Sequence, residues 1–136
     1  MSDETRLLTA AEIKEYLGIL LDRLAARGVV VETYIIGGAA LAIHLGREQL
    51  TPDVDGYFRP AAEAFAEAAE MAEEFGLAPD WVNSRAAAFI AFDPADDTEA
   101  FQTEIRGHRV TVASKRVLLA MKIAASRVKD RADITR

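Results

Sequence analysis

Two aspartates and two glycines supply the types and spacing from which this sequence could do chemistry. Asp53 and Asp55 stand one residue apart in the segment Thr51-Pro-Asp-Val-Asp-Gly-Tyr-Phe58. Along an extended strand alternate side chains point to one side, so both carboxylates face the same way and Val54 faces the core. Two carboxylates held that close repel each other and favour a shared divalent cation. Mg²⁺ takes one or two carboxylates and completes its shell with water and substrate phosphates, and Mn²⁺ accepts the same oxygen ligands. Upstream, Tyr34-Ile-Ile-Gly-Gly-Ala-Ala-Leu-Ala-Ile-His44 reads as a strand that breaks at Gly37-Gly38 and re-enters as a helix. Glycines let a backbone approach a ligand closely, and a helix N-terminus offers free N–H groups with partial positive charge. That is a seat for a triphosphate. Each piece also has a plain reading, Gly-Gly as a turn and Asp-x-Asp as a surface loop.

The elements that must position these residues are readable from periodicity and punctuation. Thr9-Ala-Ala-Glu12 has the form of a capping box, and Ile13, Leu17, Leu20, Leu21 and Leu24 recur at helical spacing behind it. The pattern predicts a helix from Ala10 to Ala26, stopped by Gly28, and a strand from Val29 to Ile36. After the glycines it predicts a short helix over Ala39 to Leu45, a polar loop over Gly46 to Pro52 and a strand over Val54 to Phe58. Pro60 opens an Ala- and Glu-rich helix over Ala61 to Phe75 that Gly76 ends. Asp80 to Asn83 reads as a turn, Ala86 to Phe92 as a strand and Asp93 to Glu99 as an acidic loop. Phe101 to Arg106 and Arg109 to Ala113 read as strands joined by a Gly107-His108 turn. Ser114 caps a last helix through Val117, Leu118, Met121, Ala125 and Val128. The order α-β-α-β-α-β-β-β-α predicts an α+β domain over residues 1–136, a mixed sheet flanked by helices.

Composition narrows the classes. The chain has 136 residues, 51% of them apolar, which suits one domain with a real core. It has no cysteine, which removes disulfides, thiolate zinc sites and cysteine nucleophiles. Its polar, acidic start predicts no signal peptide, no apolar run reaches membrane-span length, and a cytoplasmic location is the expectation. The net charge of −6 disfavours non-specific nucleic-acid binding, which Lys and Arg drive. The basic residues gather late, at Lys115, Arg116, Lys122, Arg127, Lys129, Arg131 and Arg136, as a solvated helix surface or a local phosphate-binding face.

The joint pattern of strand, Gly-Gly, helix, loop and Asp-x-Asp resembles the nucleotidyltransferase superfamily, with its polymerase-beta-like fold. Further along stand Gly76-Leu77, Pro79-Asp-Trp-Val-Asn83, Val110-Thr-Val-Ala-Ser114, Leu118-Leu-Ala-Met-Lys-Ile-Ala-Ala125 and Arg127-Val-Lys-Asp-Arg-Ala-Asp-Ile134. With them the chain, from about Tyr34 to Ile134, is similar to a bacterial family of uncharacterised nucleotidyltransferase-like proteins. That family is related to the abortive-infection type toxins of toxin–antitoxin systems. The resemblance implies metal binding at Asp53 and Asp55, with phosphate contacts at Gly37 and Gly38 and a further binding position at Thr51. It implies that Lys122 and Asp130 complete the site, with Asp133 as the second candidate. Read from the helix alone, Lys122 lies in an apolar run, and either reaches solvent or is held against an anion. Lys122 and Asp133 fall on nearly the same helix face, and Asp130 lies off that stripe.

The pattern also departs from the family. The Arg two residues before Thr51 is replaced by Gln49, with Arg47 out of step. Gly56 stands where a larger residue is usual. Such domains often continue beyond the Asp-Ile near the end, so a further segment, or one from a partner or second copy, is an expectation. A third carboxylate would act as general base, and its candidates are Glu104 and Asp93. His44, Trp81 and Ser114 read as structural residues and His108 as a turn residue.

Three functions follow as expectations. The first is metal-dependent transfer of a nucleoside monophosphate from an NTP to a hydroxyl of a tRNA 3′ end, a protein side chain or a small molecule, within a toxin–antitoxin or phage-defence setting. The second is a catalytically degenerate member that acts as an antitoxin or regulatory partner of a cognate toxin through its acidic surface. The third is a structural homo-oligomer.

Overall fold

The structure is a computed structural model that describes the backbone of residues 6–46, 50–89 and 93–134, and the side chains of these apart from Phe89 and residues 125–134. Helix α1 spans Ala10–Ala26, opened by the full capping box between Thr9 and Glu12. Its end is fixed locally: the amide of Val29 donates to the carbonyl of Leu24 at 2.9 Å, which turns the chain through Gly28. That backward bond holds Val29 out of the sheet, and strand β1 spans Glu32–Ile36 rather than starting at Val29.

Helix α2 runs Gly37–Leu45, so the two glycines form its first turn instead of preceding it. Strand β2 spans Val54–Arg59, and α3 spans Ala61–Phe75 and ends on Gly76 in the left-handed conformation. Val82–Asn83 forms a two-residue strand β3, within the stretch whose sequence predicts only a turn. The strand expected over Ala86 to Phe92 is not formed at its start, where Ala87–Phe89 is a 3₁₀ turn; residues 90–92 lie outside the described residues. Strands β4, Phe101–Ile105, and β5, His108–Val112, make a hairpin, and α4 spans Lys115–Ile134 behind the Ser114 cap.

The five strands form one mixed sheet in the order β3-β2-β1-β5-β4. β1 pairs antiparallel with β2, with Ile36 opposite Asp55, and parallel with β5, with Ile35 opposite Val112. β3 pairs parallel with β2, with Asp55 opposite Asn83. The architecture is therefore α+β, a five-stranded mixed sheet flanked by helices.

One face carries the main core. Ile13, Leu17, Leu20 and Leu24 of α1 pack with Ala64, Ala68 and Met71 of α3 against Ile35, Val54, Val110 and Val112 of the sheet. Trp81 is fully buried there and donates its indole N–H to the Ala68 carbonyl at 2.8 Å, which satisfies its one polar group. The other face carries a smaller cluster of Tyr34, Ile36, Ala87, Ala113 and Val117, with Leu118 and Met121 of α4 against it. The C-terminal ends of β1 and β5, the start of β2 and the start of α2 thus share one edge of the sheet. Among the described residues no helix is long and apolar enough to cross a membrane.

Candidate active site

Backbone geometry explains why glycines occupy the α2 turn. Gly37 has φ +66°, a conformation that L side chains rarely adopt. A Cβ on Gly38 would lie 2.8 Å from the Thr51 hydroxyl, inside van der Waals contact. The turn is therefore seated on the aspartate loop, and a Cβ on Gly37 would lie 3.9 Å from Cβ of Asp55. Ile36 caps α2 without any side-chain hydrogen bond, so the first amides of the helix receive no capping oxygen from it. The positive end of the helix faces the edge that carries Asp55. Gly56, one of the departures from the family pattern, has a local reason. A side chain there would collide with the backbone carbonyl of Tyr34 on the paired strand.

The aspartate loop is held from beneath. Thr51 is buried and exchanges backbone hydrogen bonds with Leu8 at 2.7 and 3.0 Å. Its hydroxyl donates to the Asp53 carbonyl at 3.2 Å. Thr51 is thus part of the frame that sets Asp53, and it presents no exposed hydroxyl at the edge.

Asp53 and Asp55 come together, each already engaged by the segment that follows β3. Nη2 of Arg85 donates to Asp53 Oδ2 at 2.8 Å, and the same guanidinium also pairs with Asp80. Asp55 accepts from the amide of Ala86 at 2.9 Å and, more weakly, from that of Ala87 at 3.4 Å. Those two amides open the 3₁₀ turn, so Asp55 acts as its cap from across the sheet. Burial pushes the Asp53 carboxyl above the usual carboxylate range; the Arg85 charge opposes this, and the charges of Asp55 and Asp80 add to it. The two aspartates are therefore close enough to repel. A backbone amide bond leaves each Asp55 oxygen with accepting capacity, and the guanidinium on Asp53 Oδ2 is 60% exposed. This donor set fits a Mg²⁺ that takes two carboxylates and draws its other ligands from water and phosphate. Among the described residues no group of three or more His, Cys, Asp or Glu side chains could hold a metal.

Other candidates fall elsewhere. Lys122 is exposed on α4, one turn beyond Leu118, and reaches solvent rather than an anion of the protein among the described residues. Asp130 and Asp133 lie on α4, but their side chains are outside the described residues, as are Arg47 and Gln49 altogether. Glu104 is exposed on β4, and Asp93 is exposed and caps a 3₁₀ turn at Pro94–Asp96. Neither is placed with the aspartate pair. His44 donates to the Ala113 carbonyl at 2.8 Å, which ties α2 to the end of β5. His108, expected in a turn, is the first residue of β5 and lies 2.6 Å from Asp22 of α1.

Two functional-looking residues escaped the sequence reading. Arg85 is one. Its Asn83-Ser84 neighbourhood signals a turn, since Asn83 Oδ1 accepts from the Arg85 amide at 3.0 Å, but nothing local points to Asp53. Asp97 is the other. It is buried within the acidic loop, and its Oδ2 accepts from Tyr34 Oη and from the Ser114 amide, both at 2.8 Å. Burial works against its charge, but the bonds from Ser114 and Tyr34 prevail and hold its carboxyl below the usual range. Beside it an open cleft of about 940 Å³ crosses the sheet, walled by Tyr34, Tyr57, Arg59, Asp97, Gln102 and Thr111. Asp53 and Asp55 are not in its wall; Tyr57, two residues along β2 from Asp55, is.

Comparison with protein-family models, curated proteins and solved structures finds no match for this chain.

Proposed function

We propose that the protein binds a nucleoside triphosphate with Mg²⁺ or Mn²⁺ and transfers its nucleoside monophosphate to a hydroxyl acceptor, on a nucleotidyltransferase fold. The observation that carries this reading is the meeting of three features at one sheet edge. They are the neighbouring carboxylates Asp53 and Asp55, the start of α2, whose N-cap residue Ile36 offers no side-chain hydrogen bond, and the glycine turn seated on the aspartate loop. The metal, held by Asp53 and Asp55, would draw electrons from the α-phosphate. The first amides of α2 would carry the negative phosphate oxygens, and Thr51 keeps Asp53 in place from below. In the transfer the acceptor oxygen bonds to the α-phosphorus as its bond to the bridging oxygen breaks. Pyrophosphate leaves with the electron pair, and the hydroxyl proton passes to solvent. The acceptor is a tRNA 3′ end, a protein side chain or a small molecule, and the cleft beyond Tyr57 offers room for it. The test is transfer of label from α-labelled NTP to RNA or protein with Mg²⁺. Asp53→Asn should abolish it with the fold intact; unchanged transfer by that variant contradicts the reading.

A second reading has its own support. Arg85 already neutralises Asp53, and Asp55 already caps the 3₁₀ turn. A protein that keeps these pairs permanently would be a degenerate member, an antitoxin or regulatory partner that meets a basic, RNA-binding toxin with its acidic surface. That version needs no metal, and its partner binding should survive Asp53→Asn.

A further inference from the structure

Arg85 is the one basic side chain, among the described residues, paired with the aspartate loop. Its position is built, and its tip is exposed. The amide of Arg85 is held by Asn83, Ser84 Oγ donates to the Gly56 carbonyl at 2.6 Å, and the next two amides bind Asp55. The Cα is therefore pinned beside the aspartate pair whichever way the side chain points. The guanidinium itself is 60% exposed and spans two carboxylates, Asp53 on the loop before β2 and Asp80 before β3.

That arrangement gives Arg85 two places to rest. A divalent cation bound between Asp53 and Asp55 would supply the charge that Arg85 now supplies to Asp53, and its repulsion of the guanidinium would weaken that exposed pair. The guanidinium uses Nη2 for Asp53 and Nη1 for Asp80, so it could leave Asp53 without losing its bond to Asp80, and that would free N–H donors for another anion. A triphosphate accompanying the metal would bring phosphate oxygens within reach of this exposed guanidinium, a planar donor fork suited to them.

Resting on the nucleotide-binding reading above, we propose that Arg85 is the counter-ion that the metal displaces from Asp53, and that its freed guanidinium then binds the triphosphate. In the metal-free protein it quiets the repulsion between the aspartates. In the loaded protein it serves as a phosphate-binding arginine.

The proposal predicts opposite effects of one substitution on two ligands. Binding of Mn²⁺ alone, and of the 1:1 Mn²⁺–tripolyphosphate complex, is measured by calorimetry on the native chain, Arg85→Ala, Arg85→Lys and Asp53→Asn. A thermal melt checks the fold of each. Arg85→Ala should bind Mn²⁺ about two- to fivefold more tightly, because an exposed ion pair no longer competes for Asp53. It should bind the tripolyphosphate complex about tenfold more weakly, through loss of a charge-assisted contact. Arg85→Lys should fall between native and Ala for both. If Arg85→Ala leaves both affinities unchanged, or moves both the same way, while Asp53→Asn still loses Mn²⁺, the proposal is overturned and the metal site stands. If neither the native chain nor Arg85→Ala binds Mn²⁺, both the proposal and the site reading fall.

Discussion

The guanidinium of Arg85 lies 2.8 Å from the carboxylate of Asp53, thirty-two residues away in the chain, and it is the parallel pairing of β2 with β3 that brings them together. The ion pair sits on one of the two carboxylates proposed to hold a metal, and Arg85 also pairs with Asp80. An exposed pair of this kind is screened by solvent and contributes little to stability. It is therefore weak enough to open when a ligand competes for it.

Asp53 should stabilise the protein less when ionised than an ordinary surface aspartate does. Its folded carboxyl is raised, first by burial, so between the unfolded value of about 3.9 and the higher folded value the native state holds more protons than the unfolded chain. Stability contributed by this group is therefore present at low pH and lost as pH rises through the folded pKa. Asp53→Asn should match or exceed the native chain in urea unfolding at pH 8, and the advantage should vanish near pH 4. A variant clearly less stable than native at pH 8 would show that the Arg85 pair outweighs burial.

Asp97 should behave in the opposite sense. Its folded carboxyl is lowered, so its contribution is fully present above the unfolded pKa and disappears as pH falls through the folded one. Asp97→Asn should cost about 1–3 kcal/mol at pH 7, because the bonds from Tyr34 and Ser114 lose their charged acceptor. Tyr34→Phe should cost about 1 kcal/mol by removing one of them. Urea unfolding across pH 2.5 to 7 checks both, and the native-minus-Asn difference should shrink in acid.

The seating of the glycine turn predicts a coupling. Gly38→Ala drives a methyl into the Thr51 hydroxyl and should destabilise by about 1–3 kcal/mol. Thr51→Ala removes that hydroxyl and its bond to the Asp53 carbonyl. The double variant should be less destabilised than the sum of the two, by at least ~0.5 kcal/mol. Simple additivity would mean that the turn relaxes away from the loop without cost.

Much of this was legible from local signals. Helix α1 has the predicted bounds Ala10–Ala26, because a capping box and a Gly-led reversal act within a few residues. Helix α3 does too, between Pro60 and a left-handed Gly76. Strand alternation puts Asp55 on the half-buried side of β2, but Asp53 lies on the loop before the strand, where the Thr51 hydroxyl holds its carbonyl. What could not be read depends on distant partners. Ala86 and Ala87 look like the start of a strand, yet Asp55 draws both amides and folds them into a 3₁₀ turn. Arg85 and Asp97 sit in segments whose composition says loop, and their partners Asp53 and Tyr34 are 32 and 63 residues away. Lys122, which the resemblance places in the site, is exposed on α4. An apolar helix run says that such a lysine needs an outlet, but not which.

The central claim is a live metal-nucleotide site at Asp53 and Asp55. Its most direct test is the thermal shift produced by ATP, GTP, CTP and UTP, each with and without Mg²⁺, on the native chain and on the Asp53→Asn/Asp55→Asn double variant. A working site gives a rise in Tm that needs Mg²⁺, differs among the bases and is absent from the variant. No rise at millimolar nucleotide, or a rise that survives without Mg²⁺ and in the variant, would contradict it and leave the partner-binding reading.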